Sequence, residues 1–131
     1  MKSLPRLLFD RSGAAALEFA IIGLPFILLL LGLVEFGRGL HIRNALDAAA
    51  DRAQRAIMID PSANGTMLEE AIHSGFHAGQ PEQITVRYAT ETVAGTAYRL
   101  VSLDFEMQLL LPAPLGRNLT ISSTRRIALP G

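Results

Sequence analysis

The sequence predicts an α+β protein. One long N-terminal helix spans a membrane in its first half and continues as an amphipathic helix, packed on a small antiparallel sheet. Three observations lead there. Ala14 to Val34 is an apolar run interrupted only by Glu18, and Phe19 to Val34 carries no charge. From Ile42 to Ile57, apolar residues recur at helical spacing. From Ile84 onward, apolar and polar residues alternate with a period of two. The chain has 131 residues, formally no net charge and no cysteine. The charge balance offers no electrostatic case for nucleic acid as a partner. The absence of cysteine removes disulfides, thiol catalysis and cysteine-ligated zinc.

At about 1.5 Å per residue, a helix from Ala14 to Val34 reaches across the roughly 30 Å hydrocarbon core of a bilayer. Apolar side chains cover every side of it, which a helix on the surface of a soluble domain does not need. Lys2, Arg6 and Arg11 precede the run, as in a secretory signal. The run is too long for a typical signal core, however, and it contains a glutamate. No cleavage site followed by a polar start closes it, so the segment is expected to stay in the protein. Arg38, Arg43 and Arg52 follow the run and balance the basic residues before it, so charge bias alone does not orient the span. The long C-terminal part is expected to be translocated, leaving the N-terminus inside. Pro25 lacks the N–H that would bond the Ile21 carbonyl, which predicts a kink there.

Beyond Glu35 the helix is expected to run on to Ile59. Ile42, Leu46, Ala49, Ala50, Ala53 and Ile57 form a shallow stripe suited to close packing. Arg43, Asp47, Asp51 and Arg55 are expected on a solvated face, as two opposite-charge pairs four residues apart. Asp60-Pro61 ends the helix and Ser62-Ala63-Asn64-Gly65 is turn chemistry. A short helix over 66–78 follows, with Thr66 and Glu69 as its expected capping box and Gly79 and Pro81 closing it. His73 and His77 stand four apart there, but a metalloprotease helix needs a glutamate beside the first histidine. They are read as incidental, and no metal or cofactor is expected.

A three-stranded antiparallel sheet is expected over 83–129. Ile84, Val86 and Tyr88 alternate in the first strand, Ala94-Gly95-Thr96 turns the chain, and Val101 to Leu109 alternate in the second. Pro112 to Gly116 breaks the pattern. The last run has Leu119 and Ile121, then Ile127 and Leu129, with the polar stretch Ser122 to Arg126 between them. One apolar sheet face needs a cover, and the stripe from Leu46 to Ile57 is the candidate. No nucleophile elbow, phosphate loop or paired catalytic carboxylates occur, so no enzyme is expected.

The residues Gly13-Ala14-Ala15-Ala16-Leu17-Glu18-Phe19, at the head of the apolar run, resemble the processing site of tight-adherence (Flp-type) pilins and pseudopilins. The stretch from Gly23 to Arg38, with Arg43 to Ala50, Arg52 and Arg55 behind it, resembles the TadE-like family. This resemblance covers residues 11–57. It implies a pilin-like fold with a leader over 1–13, a transmembrane helix over 14–35 and an extracytoplasmic domain over 36–131. It also implies cleavage between Gly13 and Ala14 by a prepilin peptidase, which would make Glu18 the fifth residue of the mature chain. Glu18 and Phe19 would form the processing and assembly motif. Ala14 stands where type II secretion and type IVa pilins favour phenylalanine, a departure that favours the tight-adherence branch.

The implied role is that of a minor pseudopilin taking part in pilus assembly. Its partners would be the membrane, the peptidase, other pilin-like subunits and the tight-adherence machinery. Its place would be the bacterial inner membrane, single-pass with the C-terminal domain in the periplasm, or a pilus outside the cell. TadE proper, a TadF-like partner and a short TadG-like protein are left open. The alternative is an unprocessed single-span membrane protein with a small extracytoplasmic binding domain.

Overall fold

The computed structural model describes residues 11–110 and 118–129. Most of the expected leader and the break at Pro112 to Gly116 lie outside them. The elements run in the order α1 (Arg11–Ile59), α2 (Gly65–Gly75), a single 3-10 turn (Pro81–Gln83), β1 (Ile84–Val93), β2 (Thr96–Gln108) and β3 (Asn118–Ala128). The class is α+β, as the sequence predicts. The chain divides into two compact units at Val34/Glu35.

The first unit contributes the apolar half of α1. Leu17, Phe19, Ile21, Ile22, Leu24, Phe26, Ile27, Leu29, Leu30, Leu33 and Val34 are all exposed. This helix is long and apolar enough to cross a membrane, and its most apolar window has no buried residue. The helix continues past Pro25 without a break.

In the second unit α1 changes character. Ile42, Leu46, Ala49, Ala50, Ala53 and Ile57 are buried, the whole expected stripe, and all belong to one core with the inner face of the sheet. Alanine methyls allow close approach, and each buried methyl-sized group stabilises by about 0.8 kcal/mol. The helix stops where expected. Asp60 accepts from both the backbone N–H (2.9 Å) and the hydroxyl (2.5 Å) of Ser62. These bonds hold its carboxyl below the usual carboxylate range.

The second helix differs from its prediction at both ends. Its cap is Asn64, whose side chain accepts from the Met67 N–H at 3.0 Å, so Thr66 lies inside the helix and no Thr66–Glu69 box starts it. An extended residue with a short acceptor is what an N-cap requires, and Asn64 meets both conditions. The helix ends at Gly75, not at residue 78. A Cβ on Gly75 would come within 2.8 Å of Arg52 Cδ and 3.0 Å of the Ala49 Cα, so α2 lies directly on α1. Arg52 then donates to the Ser74 carbonyl at 2.9 Å, satisfying an acceptor of the last turn. Phe76, already extended, turns into the core and packs on Phe105 with 5.3 Å between ring centroids. His77 therefore lies past the helix, so the i,i+4 relation to His73 is lost. Among the described residues, no cluster suited to a metal ion occurs.

The sheet is an antiparallel meander in the order β1-β2-β3. Ala94 and Gly95, both at positive φ (51° and 82°), make the two-residue β1–β2 turn, the geometry that hairpin twist favours. Phe105 pairs with Ile84 on one side and Ile121 on the other, and Leu103 pairs with Val86 and Ser123. Ile84, Val101, Leu103, Phe105, Met107, Ile121 and Ile127 are buried. Tyr88, at the predicted inner register, is partly exposed. Desolvation and the nearby Glu69 raise its phenol pKa above the ordinary value, against the opposing effect of Arg99. The outer face is polar, with Arg87 paired to Asp104, which also accepts from Ser122 at 2.6 Å.

The polar run Ser122 to Arg126 does not interrupt β3, and the acidic stripe of α1 is not merely solvated. The two observations have one cause. Ser123, buried on the inner face, donates to Asp47 at 2.6 Å. Arg125, two residues on and on the same face, donates through Nε to Asp51 at 3.0 Å, with its Nη1 3.7 Å from Asp47. Asp51 thus pairs with the sheet. Of the two expected helical pairs, Arg43–Asp47 forms, at 3.6 Å. These groups are partly exposed, so each contact is worth a fraction of a buried pair. In a double-mutant cycle with Asp51→Asn and Arg125→Met, the coupling measured by urea unfolding is expected to be about 0.5–1 kcal/mol. Strictly additive single effects would show that the bond does not join helix and sheet.

Candidate functional site

The expected processing residues lie together on α1 at the head of its apolar run, with Glu18 four residues, about one turn, past Ala14 and Phe19 beside it. Residues 13 to 22 are all exposed, with Phe19 at 78%. A Cβ added to Gly13 would meet nothing within 4 Å, so packing does not require glycine there.

Glu18 is exposed and has no hydrogen-bond or ion-pair partner among the described residues. Ala14 and Glu18 are four residues apart, which places them on one helix face about 6 Å apart along the axis. An α-amine on residue 14 would therefore sit one turn from a carboxylate. If the helix began at Ala14, Glu18 would also move toward the positive end of the helix dipole. Pro25 lies further along the same helix.

Residues 13–55 match a family model described as TadE-like protein, about a third of the chain. Over this segment the chain is similar to TadE-like proteins. The match covers the candidate site, the rest of the apolar run and most of the core stripe of α1. Neither a curated protein nor a solved structure shows significant similarity to the chain.

One residue inside the TadE-like segment had no role in the sequence reading. Glu35, the first residue of the second unit, is only 6% exposed. Its Oε2 pairs with Arg38 at 2.8 Å, and its Oε1 accepts the backbone N–H of Leu110, beyond the end of β2. Arg38 also lies 3.5 Å from the Gln108 carbonyl. A buried carboxylate needs both charge and hydrogen-bond partners, and Glu35 has them. The i,i+3 spacing to Arg38 was visible in the sequence. The contact with Leu110, 75 residues away, was not. Glu35→Ala removes the acceptor of a sheltered N–H and the partner of Arg38. It is expected to destabilise the chain by about 1–3 kcal/mol, measured by chemical denaturation in detergent, whereas Glu18→Ala leaves that midpoint unchanged.

Proposed function

We propose that the chain is a minor pseudopilin that takes part in assembling a tight-adherence (Flp-type) pilus after a prepilin peptidase cleaves it between Gly13 and Ala14. The observation that carries this reading is the TadE-like match over a helix that places Gly13, Ala14 and Glu18 at the head of an exposed apolar run. In the membrane, the apolar half of α1 anchors the precursor as a single span, with the C-terminal domain in the periplasm. Cleavage leaves a cationic amine at Ala14. A carboxylate at membrane depth is costly without a partner, about 2.5–3.5 kcal/mol at the helix centre. Glu18 lowers that cost by pairing with the amine of its own chain or of a neighbouring pilin-like subunit.

Helix-to-helix packing in a bundle then replaces lipid around Phe19 to Val34, and Pro25 supplies a place where the helix bends to fit. The domain beyond Glu35 projects from the membrane. The role assigned is structural, with no reaction and no cofactor.

The test is the N-terminus of the protein, determined by mass spectrometry after expression with and without the peptidase. The expected mature chain starts at Ala14 only when the peptidase is present. Gly13→Ala is expected to abolish processing, without disturbing packing since the site is open. Glu18→Ala is expected to be cleaved and to fail in assembly. An unprocessed chain in both cells would contradict the proposal and favour a permanent single-span protein whose outer domain binds an envelope partner.

A further inference from the structure

The second unit carries an apolar patch that its own core does not use. Phe36, Leu40, Leu110 and Leu119 are between 48% and 65% exposed. Phe36, Leu40 and Leu119 border a groove of about 300 Å³ whose floor includes Met107, Leu109 and Ile121. The Glu35–Leu110 bond gathers this patch by tying the end of β2 to the first turn of α1 in this unit. Scattered apolar side chains on a surface are ordinary, but a contiguous set around a groove marks a contact surface.

The place of the patch along the chain indicates what covers it. Phe36 is the second residue after Val34, so the chain itself keeps it within about 7 Å of the end of the apolar run. Leu40 follows one turn later. Leu110 and Leu119 flank residues 111–117, whose sequence is uncharged up to Arg117. Arg38 and Arg43 rim the patch, partly exposed, each with one carboxylate partner, Glu35 and Asp47. A guanidinium bound to one carboxylate keeps further N–H donors, which lipid phosphates accept at a membrane surface, with the arginine stems lying along the apolar side chains.

We propose that this patch is a second membrane contact, in which Phe36, Leu40, Leu110 and Leu119 rest in the headgroup–acyl boundary of an anionic phospholipid bilayer, with Arg38 and Arg43 on its phosphates. It rests on the reading of Ala14–Val34 as a span of that bilayer. The contact holds the sheet against the membrane surface before assembly, and leaving the membrane uncovers the patch.

The absence of cysteine makes the test direct. In the full chain, Leu29→Cys, Leu40→Cys, Leu119→Cys and Thr124→Cys are each labelled with a nitroxide. The labelled chains are reconstituted into vesicles of phosphatidylcholine and phosphatidylglycerol. Relaxation by oxygen, which concentrates in lipid, is compared with relaxation by a water-soluble nickel chelate. The oxygen-to-nickel ratio at residues 40 and 119 is expected to be several-fold higher than at residue 124 on the polar outer face, and below that at residue 29. Ratios at 40 and 119 equal to that at 124, or shielding from both reagents, would overturn the proposal while residue 29 still reports a span. A water-exposed label at residue 29 would instead overturn the span, and the proposal with it.

Discussion

The folded domain depends on a stripe of α1, half of it alanine, that is buried in one core with α2 and the sheet. Ala49, Ala50 and Ala53 are fully buried between Leu46 and Ile57, in one core with Leu68, Ile72 and Phe76 and with Val101, Leu103, Phe105 and Met107 of the sheet. Small side chains on the helix beside large ones around it let a short chain fill its interior. Individually these methyl groups contribute little. Their value is the close approach they permit, which larger residues would oppose at about 1–3 kcal/mol per overpacked position. The same closeness requires glycine at position 75, where a Cβ would come within 3.0 Å of the Ala49 Cα.

Polar contacts set the direction of that packing. A stripe of alanines has no strong register of its own, since one methyl resembles the next. Asp47 and Asp51 bond Ser123 and Arg125 of β3, and Glu35 bonds Leu110 just past the end of β2. These contacts lie at intervals along α1 and fix which turn of the helix meets which part of the sheet. The TadE-like segment therefore contains both the head of the apolar run and most of the residues that organise the domain. The proposed processing site and the domain core are built on a single helix.

Much of this was legible because it is periodic. The apolar run, the stripe from Ile42 to Ile57, the end at Asp60 and the alternation in β2 are local patterns, and local patterns follow from helix and strand geometry. The misread features depend on partners far away in sequence. Arg125 looks like one residue of a polar stretch until Asp51 stands opposite, and Asp51 looks solvated for the same reason. The cap at Asn64 was missed because two residues flanking Gly65, Asn64 and Thr66, both suit the position, and backbone geometry chooses between them. The need for glycine at position 75 arises from Ala49 and Arg52, more than twenty residues earlier in the chain. Glu35 had half its signal in sequence, the spacing to Arg38, and half in a contact with Leu110. The candidate site was readable because its residues are consecutive. Its surroundings add exposure and helical placement to what the motif states.

One helix, α1, carries both the apolar run and the core stripe, although its environment changes at Glu35. Two glycines, Gly37 and Gly39, follow that change, where a helix is easiest to open. Amide hydrogen exchange of the full chain in lipid nanodiscs tests this directly. Slow exchange is expected throughout Ile22 to Ile57, with Phe36 to Leu40 as protected as the turns on either side. A rapidly exchanging window at Phe36 to Leu40, in a chain whose β2 amides stay protected, would contradict it.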